Sequence, residues 1–314
     1  MSSKWTVDDI NDLTGTRVLI TGGNSGIGRE AARILAGANA QVVLACRDLA
    51  KGEDAAADIR SSAPDADVSI LELDLADLAS IEDAAGRFLA EHERLDVLIN
   101  NAGVMALPYR ATVDGFEMQF GTNHLGHFAL TGRLLPGLLA APAARVVTIS
   151  SGMHKFGRMN FDNLDASKGY SKWPVYSMSK LANLQFTFEL QRRAEATGAP
   201  FIAVAAHPGY SSTNLQGAGP RMAGTRVAHH AWGVFNALAG QSSSRGALPT
   251  VYAATADHVN GGDYIGPNGI GELRGNPTKV GATRAAKNER QAARLWSISE
   301  ELTGVRYEGL AVGV

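Results

Sequence analysis

The segment that most constrains this chain is residues 16–28, whose sequence is TRVLITGGNSGIG. Val18, Leu19 and Ile20 form a short apolar run, which predicts a buried strand. Glycines follow at positions 22, 26 and 28, and a helix-like run then extends from Arg29 to Gly37. A strand that turns through glycines into a helix directs unpaired backbone N–H groups and the positive end of a helix dipole at one point. We therefore predict that this turn receives a pyrophosphate group.

The glycine spacing is G-x3-G-x-G, which differs from the G-x-G-x-x-G of the general dinucleotide-binding turn. A glycine cluster after a strand is also typical of an ordinary loop between a strand and a helix. Both interpretations stay open on this segment alone.

Composition limits the class of protein. With 314 residues, 45% hydrophobic and 19% charged, the chain is long and apolar enough for a globular core. Its net charge of −2 and the lack of a basic run argue against a nucleic-acid partner. The one cysteine, Cys46, excludes an internal disulfide, and the sequence contains no signal-like or membrane-spanning apolar stretch. We expect a cytoplasmic protein without a membrane span.

Apolar segments alternate with helical patterns along the chain, which predicts a parallel sheet covered on both faces. No linker or internal repeat divides the sequence. We therefore predict one α/β domain of the Rossmann fold, doubly wound around a mainly parallel seven-stranded sheet with helices on both faces. The predicted strands are Val18–Ile20, Gln41–Cys46, Val68–Leu73, Leu95–Asn100, Arg145–Ser150 and Phe201–Ala206, and the helices between them are Arg29–Gly37, Leu49–Ser61, Ile81–His92, 114–139 and Val175–Ala196.

The residue after the second strand indicates which cofactor is bound. An acidic residue about 20 positions past the glycines would hold the ribose hydroxyls of NAD. Position 46 is a cysteine and position 47 an arginine, whose guanidinium can pair with a 2′-phosphate. Asp48 is the expected N-cap of the next helix. We therefore favour NADP(H) over NAD(H), the alternative being that Arg47 is a solvated surface residue.

Tyr176 and Lys180 are candidates for the chemistry because residues four apart share one face of a helix. A free phenol titrates near 10, and a neighbouring ammonium favours the phenolate. We expect Lys180 to lower the pKa of Tyr176 toward neutral pH. The same spacing also arises by chance, as a half-exposed surface pair.

These segments together resemble the short-chain dehydrogenase/reductase family over roughly residues 14–215. The motifs are TGGNSGIG from Thr21, NNAG at 100–103, Ser151, Tyr176-x-x-x-Lys180 and HPG at 207–209. The stretches ACRD at 45–48, NHLGHF at 123–128 and SKLAN at 179–183 resemble its retinol dehydrogenase-like branch.

The resemblance implies hydride transfer between a nicotinamide and a carbonyl or alcohol carbon of an apolar small molecule. It implies that Tyr176 exchanges the proton, Lys180 binds the nicotinamide ribose, Ser151 polarises the substrate oxygen and Asn123 completes a proton relay through water. It assigns cofactor binding to Gly22, Ser25, Gly26, Ile27, Gly28, Arg47, Asp74, Leu75, Asn101, Ala102, Gly103, Tyr176, Lys180, Pro208, Gly209, Ser211 and Thr213, and no residue to a metal.

Ser150 competes with Ser151 for the catalytic place, and the branch resemblance selects Ser151. Residues 152–173 then form an extra loop near the site. By the same resemblance, residues 1–13 are an N-terminal extension of a single domain at 14–314, with a substrate lid at about 210–245 and a C-terminal extension at about 270–314.

Several aromatic and histidine residues have simpler interpretations. His124 and His127 lie one helical turn apart and are interpreted as packing residues rather than metal ligands, as are His229 and His230. Trp232 and Phe235 could line a substrate pocket or pack a helix.

Family members commonly associate through the helices at 114–139 and 175–196, so we expect a homodimer or homotetramer. Ala182, Leu184 and Phe188 would supply the contacts, unless they face the chain's own sheet.

Two other functions remain as alternatives. One is an NADP-binding regulatory protein without catalysis, which a missing tyrosine or lysine would have favoured. The other is a sugar-nucleotide epimerase or dehydratase, which shares the Tyr-x-x-x-Lys spacing but differs in its glycine spacing.

Overall fold

A computed structural model describes residues 5–210 and 241–310 of the chain. The structure has one sheet of eight strands in the order β3-β2-β1-β4-β5-β6-β7-β8. All adjacent strands are parallel except β7 and β8, which are antiparallel. The strands are β1 (Arg17–Thr21), β2 (Gln41–Cys46), β3 (Val68–Glu72), β4 (Val97–Asn100), β5 (Ala144–Ile149), β6 (Phe201–Ala206), β7 (Tyr264–Pro267) and β8 (Pro277–Lys279).

The doubly wound, mainly parallel sheet is confirmed, with one strand more than the seven predicted. The additional strand is β8, which has only three residues and lies at the sheet edge. Such a short edge strand has no run of alternating apolar residues, so the sequence pattern did not reveal it.

Helices cover both faces of the sheet. One apolar cluster joins the sheet to α3, α5 and α7, and a second joins it to α1, α2 and α8. The helices are α1 (Gly26–Gly37), α2 (Leu49–Ser62), α3 (Leu78–Glu91), α4 (Met118–Phe120), α5 (Gly126–Arg133), α6 (Leu135–Ala140), α7 (Lys172–Thr197), α8 (Ser243–Thr255) and α9 (Glu289–Thr303).

The helix predicted over 114–139 is broken into parts. It begins only at Met118, and a π-helical segment at Gly121–Leu125 separates α4 from α5. Pro136 stands in the first turn of α6, where its missing N–H leaves no hydrogen bond unmade. A π-helical turn inside a helix is frequent at functional sites, and this one contains Asn123.

The C-terminal part of the chain packs on α7 and belongs to the same core. Trp296 of α9 is buried, and its ring stacks on Phe186 of α7 with centroids 5.9 Å apart. Ala182 packs with Leu295 of α9, and Leu184 packs with Tyr264 of β7; both residues are wholly buried. The expectation that Ala182 and Leu184 contact a second copy is therefore wrong, because α9 covers Ala182 and Leu184 faces the chain's own sheet, as the alternative proposed.

None of the helices in the described ranges combines the length and the apolar character that a bilayer crossing requires. The predicted lid residues 211–240, including Trp232, Phe235, His229 and His230, lie outside the described residues.

Candidate active site

The turn between β1 and α1 has the shape of a phosphate cradle. Gly22 and Gly26 have φ of +66° and +54°, a region that side-chain-bearing residues rarely adopt. A Cβ on Gly28 would lie 2.4 Å from the Gly22 carbonyl oxygen, so only glycine fits there. Helix α1 begins at Gly26, and Ser25 at its N-cap makes no side-chain capping hydrogen bond. The first N–H groups of α1, with the helix dipole, thus suit the pyrophosphate of a dinucleotide. Ile27 lies in this first turn.

Thr21 fastens the glycine turn to the loop after β4. Its hydroxyl oxygen accepts hydrogen bonds from the N–H groups of Asn101 and Ala102, both at 2.9 Å. The Asn101 side chain donates to the Thr21 carbonyl oxygen at 2.8 Å. Thr21 has no predicted role of its own, and the one signal in the sequence is its position at the end of β1, next to the glycines. Three hydrogen bonds therefore join the glycine turn to the loop after β4.

Arg47 and Asp74 stand together at the ends of β2 and β3. The Arg47 side chain is 76% exposed, and its Nη1 lies 3.5 Å from Asp74 Oδ2. Asp48 caps α2 by accepting the Lys51 N–H at 3.1 Å, as predicted, so this carboxylate is committed to the helix. Leu75 is buried, and its carbonyl lies against Gly126 of α5.

Asn123 braces the loop that follows β4. Its Oδ1 accepts the Val104 N–H at 2.8 Å, and its Nδ2 donates to the Val104 carbonyl at 3.0 Å and to Ser179 Oγ at 3.0 Å. A Cβ on Gly103 would lie 3.1 Å from Asn123 Oδ1 and 3.5 Å from Lys180 Nζ. The motifs that contain Gly103, Asn123 and Lys180 are far apart in the sequence, and the fold thus brings them within a few ångströms of one another. Because the Asn123 amide is occupied by these contacts, its place in a water relay stays a prediction.

Tyr176 is buried on α7, and Ser151 is the side chain that interacts with its phenol. Burial raises the pKa of Tyr176 to about 12, and the Ser151 hydrogen bond opposes that rise. The expectation that Lys180 lowers this pKa is wrong for the structure described here. Desolvation of the phenol is the dominant effect, and the Lys180 ammonium lies 5.9 Å from the ring centroid. At neutral pH Tyr176 is therefore a protonated donor.

Lys180 is also buried, one turn after Tyr176. Desolvation lowers the pKa of its ammonium to about 8, because burial disfavours the charged form. Its Nζ donates to the Ile149 carbonyl at 3.1 Å, which fixes the ammonium at the end of β5.

The two candidate serines have different partners. Ser150 Oγ donates to the Lys180 carbonyl at 2.8 Å, so this hydroxyl is used in holding β5 to α7. Ser151 accepts the Met153 N–H at 3.2 Å and reaches the Tyr176 phenol. The structure therefore places Ser151, rather than Ser150, at the phenol.

The segment before α7 contacts the residues that follow β4. The loop predicted at 152–173 ends at Ser171, because α7 begins at Lys172. Tyr170 donates to the Leu107 carbonyl at 2.6 Å and accepts a hydrogen bond from Gln119 Nε2 at 2.9 Å. Gln119 Oε1 in turn accepts the N–H of Ala106, a residue with φ of +52°. The extra loop thus holds the segment after β4 in an uncommon conformation.

His207, Pro208 and Gly209 form the turn after β6. Gly209 has φ of +69° and donates its N–H to His207 Nδ1 at 3.2 Å. Pro208 accepts a hydrogen bond from Gln241 at 2.6 Å. Ser211 and Thr213, the other residues assigned to this side of the cofactor, lie outside the described residues.

The histidines on α5 and the π-helical turn pack as interpreted. His124 Nε2 lies 2.9 Å from Ser299 Oγ on α9. His127 bridges the Asn123 carbonyl at 3.0 Å and the Thr21 hydroxyl at 2.9 Å. Burial lowers the pKa of His127 to about 4, so the ring is neutral at pH 7.

Comparisons with known proteins agree with this geometry. The sequence model described as short chain dehydrogenase matches residues 16–222. Mouse retinol dehydrogenase 12 is 41% identical over 301 residues, which cover 94% of this chain and 89% of the relative. Human retinol dehydrogenase 13 is 40% identical over 294 residues, covering 93% of this chain and 86% of the relative. The crystal structure of an uncharacterised protein from Mycobacterium paratuberculosis is 44% identical, with a TM-score of 0.80 over 97% of this chain and 99% of that one.

The matched region contains the glycine turn, Asn123, Ser151, Tyr176 and Lys180, and the similarity to mouse retinol dehydrogenase 12 covers 94% of the chain. The chain is therefore an oxidoreductase that transfers hydride at an alcohol or carbonyl carbon, and it belongs to the short-chain dehydrogenase family, in the retinol dehydrogenase-like branch.

Proposed function

We propose that this protein is an NADP(H)-dependent oxidoreductase acting on the carbonyl or alcohol carbon of an apolar small molecule. The observation that carries the proposal is the convergence of Ser151, Tyr176 and Lys180 beside the glycine turn and Gly103. A bound nicotinamide supplies or accepts the hydride. The residues of the chain then have to bind and orient the cofactor and the substrate, and to exchange one proton with the substrate oxygen.

Tyr176 is placed to hold and move that proton. Its phenol is protonated at neutral pH because its pKa is raised to about 12, so it can donate to a substrate oxygen during reduction. Ser151, which interacts with the phenol, would donate to the same oxygen and polarise the carbonyl. Lys180, held by the Ile149 carbonyl, would bind the ribose next to the nicotinamide.

Arg47 supports a preference for NADP(H). In NAD enzymes of this fold a carboxylate at the end of β2 receives the ribose hydroxyls. Here the first carboxylate in the sequence after β2, Asp48, is occupied in capping α2, and the exposed guanidinium of Arg47 stands at the end of β2 beside Asp74. A guanidinium pairs well with a 2′-phosphate.

Apolar groups near the phenol support an apolar substrate. The Trp173 ring lies 6.5 Å from the Tyr176 ring, edge on, and Met153 follows Ser151 closely. The names of the relatives, retinol dehydrogenases, indicate that they act on an apolar alcohol, and this favours an apolar substrate for the present chain. We also propose a cytoplasmic location, since a chain with one cysteine forms no internal disulfide.

A panel of aldehydes and ketones with NADPH tests the proposal, with the loss of NADPH absorbance as the signal. We expect turnover with long apolar aldehydes and little with charged sugars or sugar nucleotides. No turnover of any carbonyl, and none of the matching alcohols with NADP⁺, would contradict it. Turnover only with sugar nucleotides would favour the epimerase or dehydratase alternative.

A further inference from the structure

Glu272 lies far along the chain from every motif of the site, yet its carboxylate reaches two of the loops that build it. Its Oε2 lies 3.0 Å from Lys155 Nζ and 3.3 Å from His207 Nε2. Lys155 stands four residues after Ser151, and His207 begins the turn after β6. One carboxylate therefore joins the catalytic serine loop to the turn on the nicotinamide side.

The backbone at Glu272 is in an uncommon conformation. Gly271 and Glu272 have φ of +65° and +59°, and a glutamate in this left-handed region is unfavourable without compensation. Strained residues of this kind persist where surrounding contacts hold them, and they cluster at functional sites. The contacts that hold Glu272 are the His207 ring, 3.3 Å from its carboxylate, and the Lys155 ammonium, 3.0 Å away, and these two neighbours lower the pKa of Glu272 to about 2.

The same short loop also contacts the turn after β6 through its backbone. The Tyr210 N–H donates to the Leu273 carbonyl at 2.8 Å. A Cβ on Gly209 would lie 2.5 Å from that carbonyl oxygen, so the two backbones are in close contact. Residues 207–210 are thus held by the side chain of Glu272 and by the main chain of its neighbour.

His207 transmits the position of Glu272 to Gly209. The imidazole is buried, and its Nδ1 accepts the Gly209 N–H at 3.2 Å. Because Nδ1 accepts the Gly209 N–H, the proton of the ring stands on Nε2, which lies 3.3 Å from Glu272 Oε2. The carboxylate thus lies beside the protonated nitrogen of the tautomer that lets His207 hold Gly209 in its left-handed turn.

We propose that Glu272 is a positioning residue that holds the 207–210 turn in the form that receives the nicotinamide end of the cofactor. The proposal rests on the proposed function and on the family resemblance, which implies that Pro208 and Gly209 hold the carboxamide of the nicotinamide. It predicts that Glu272 affects binding of the nicotinamide half and leaves the adenosine half unaffected, because Arg47 and the glycine turn lie at other strand ends.

Binding of NADPH and of adenosine 2′,5′-bisphosphate, which has no nicotinamide, tests this directly by calorimetry on the full chain. Glu272→Ala should weaken NADPH binding about tenfold or more, the usual effect of losing charge-assisted contacts. The affinity for adenosine 2′,5′-bisphosphate should not change. If the unmutated protein prefers NADH, the same comparison is made with NADH and ADP.

Three further variants separate the two contacts of the carboxylate. Glu272→Gln keeps an oxygen that can accept from His207 but loses the charge that pairs with Lys155, so its loss of NADPH affinity should be smaller. Lys155→Met should resemble Glu272→Gln. Glu82→Gln removes the carboxylate of the Arg133–Glu82 ion pair, 2.8 Å long and on another helix, and should have no effect on either ligand.

The outcomes are distinct. Unchanged NADPH affinity in Glu272→Ala overturns the inference, as does an equal loss of both ligands, which would indicate general structural damage. If the unmutated protein binds neither NADPH nor NADH, the proposed function itself fails. Thermal unfolding of each variant shows whether it folds. If Glu272→Ala does not fold, the binding comparison is made with Glu272→Gln instead.

Discussion

Lys180 Nζ donates a hydrogen bond to the carbonyl oxygen of Ile149 at 3.1 Å, and Asn183 Nδ2 donates to the same oxygen at 3.0 Å. Within the described part of the chain, no carboxylate forms an ion pair with this buried ammonium. Among the described residues, the buried charge of Lys180 is thus stabilised by a carbonyl dipole alone, which lowers the stability of the folded protein. The Ile149 carbonyl would keep a hydrogen bond without Lys180, because Asn183 also donates to it.

Lys180→Met should therefore stabilise the cofactor-free protein at pH 7 while abolishing activity. Burial lowers the pKa of Lys180 from 10.5 to about 8, and each unit corresponds to roughly 1.4 kcal/mol, so we expect a gain on the order of 1–3 kcal/mol. Urea denaturation measures it. Lys287→Met, at an exposed lysine, should change stability little; an unstable Lys180→Met protein would contradict the argument.

The pH dependence of stability should follow the same group. Between about pH 8 and 10.5 the unfolded chain keeps the proton that folded Lys180 has lost, so stability rises with pH in this range. That component should be missing in Lys180→Met. The measurement is best ended near pH 10, because the raised pKa of Tyr176 lowers stability above that point.

Tyr176→Phe should reduce turnover by about 100-fold to 10,000-fold, the usual contribution of a general acid–base group. NADPH binding should remain, since the glycine turn, Arg47 and Lys180 are unchanged. In alcohol oxidation, kcat/KM should rise with pH across the usable range as the phenol ionises, because its pKa is about 12. The rise should disappear in the variant.

Tyr252→Phe is a matched control for that experiment, because it removes a hydroxyl that contacts His258 away from the site. Its turnover should be close to normal. Near-normal turnover in Tyr176→Phe would remove the phenol from the mechanism and favour the regulatory alternative.

Arg47→Ala should remove most of the preference for NADPH over NADH. Loss of a charge-assisted contact corresponds to about 1.5–3 kcal/mol, or roughly ten- to a hundredfold in affinity. Binding constants for both cofactors measure it, with the surface variant Arg87→Ala as control. Equal affinities of the unmutated protein for the two cofactors would refute the assignment to NADP.

Trp296→Ala should destabilise the protein by about 3–5 kcal/mol, as expected for removing a wholly buried aromatic side chain. Its ring packs against Phe128, Phe186 and Tyr307, so the loss would show that α9 is part of the core. Leu302→Ala, on the exposed side of the same helix, is the control. A variant as stable as the parent in urea would contradict this packing.

Association of the chain remains a prediction that light scattering can test. A homodimer or homotetramer has to use surfaces other than those at Ala182 and Leu184, because both residues are covered by their own chain.

The sequence alone determined the features that depend on local spacing. The apolar runs predicted six strands of the parallel sheet, and the glycines at 22, 26 and 28 predicted the turn that ends β1. The four-residue spacing of Tyr176 and Lys180 placed both on one helix. These features follow from the periodicity of strands and helices, which depends only on residues that are close together in the sequence.

Only the tertiary structure decided the properties that depend on distant neighbours. The pKa of Tyr176 is raised rather than lowered because several elements exclude water from it. Ala182 is internal because α9, much later in the chain, packs on α7, and Leu184 is internal because it faces β6 and β7 of the sheet. Glu272 joins Lys155 and His207 because the sheet order puts β5, β6 and β7 side by side. Desolvation and ion pairing act through space, so no pattern along the sequence contains them.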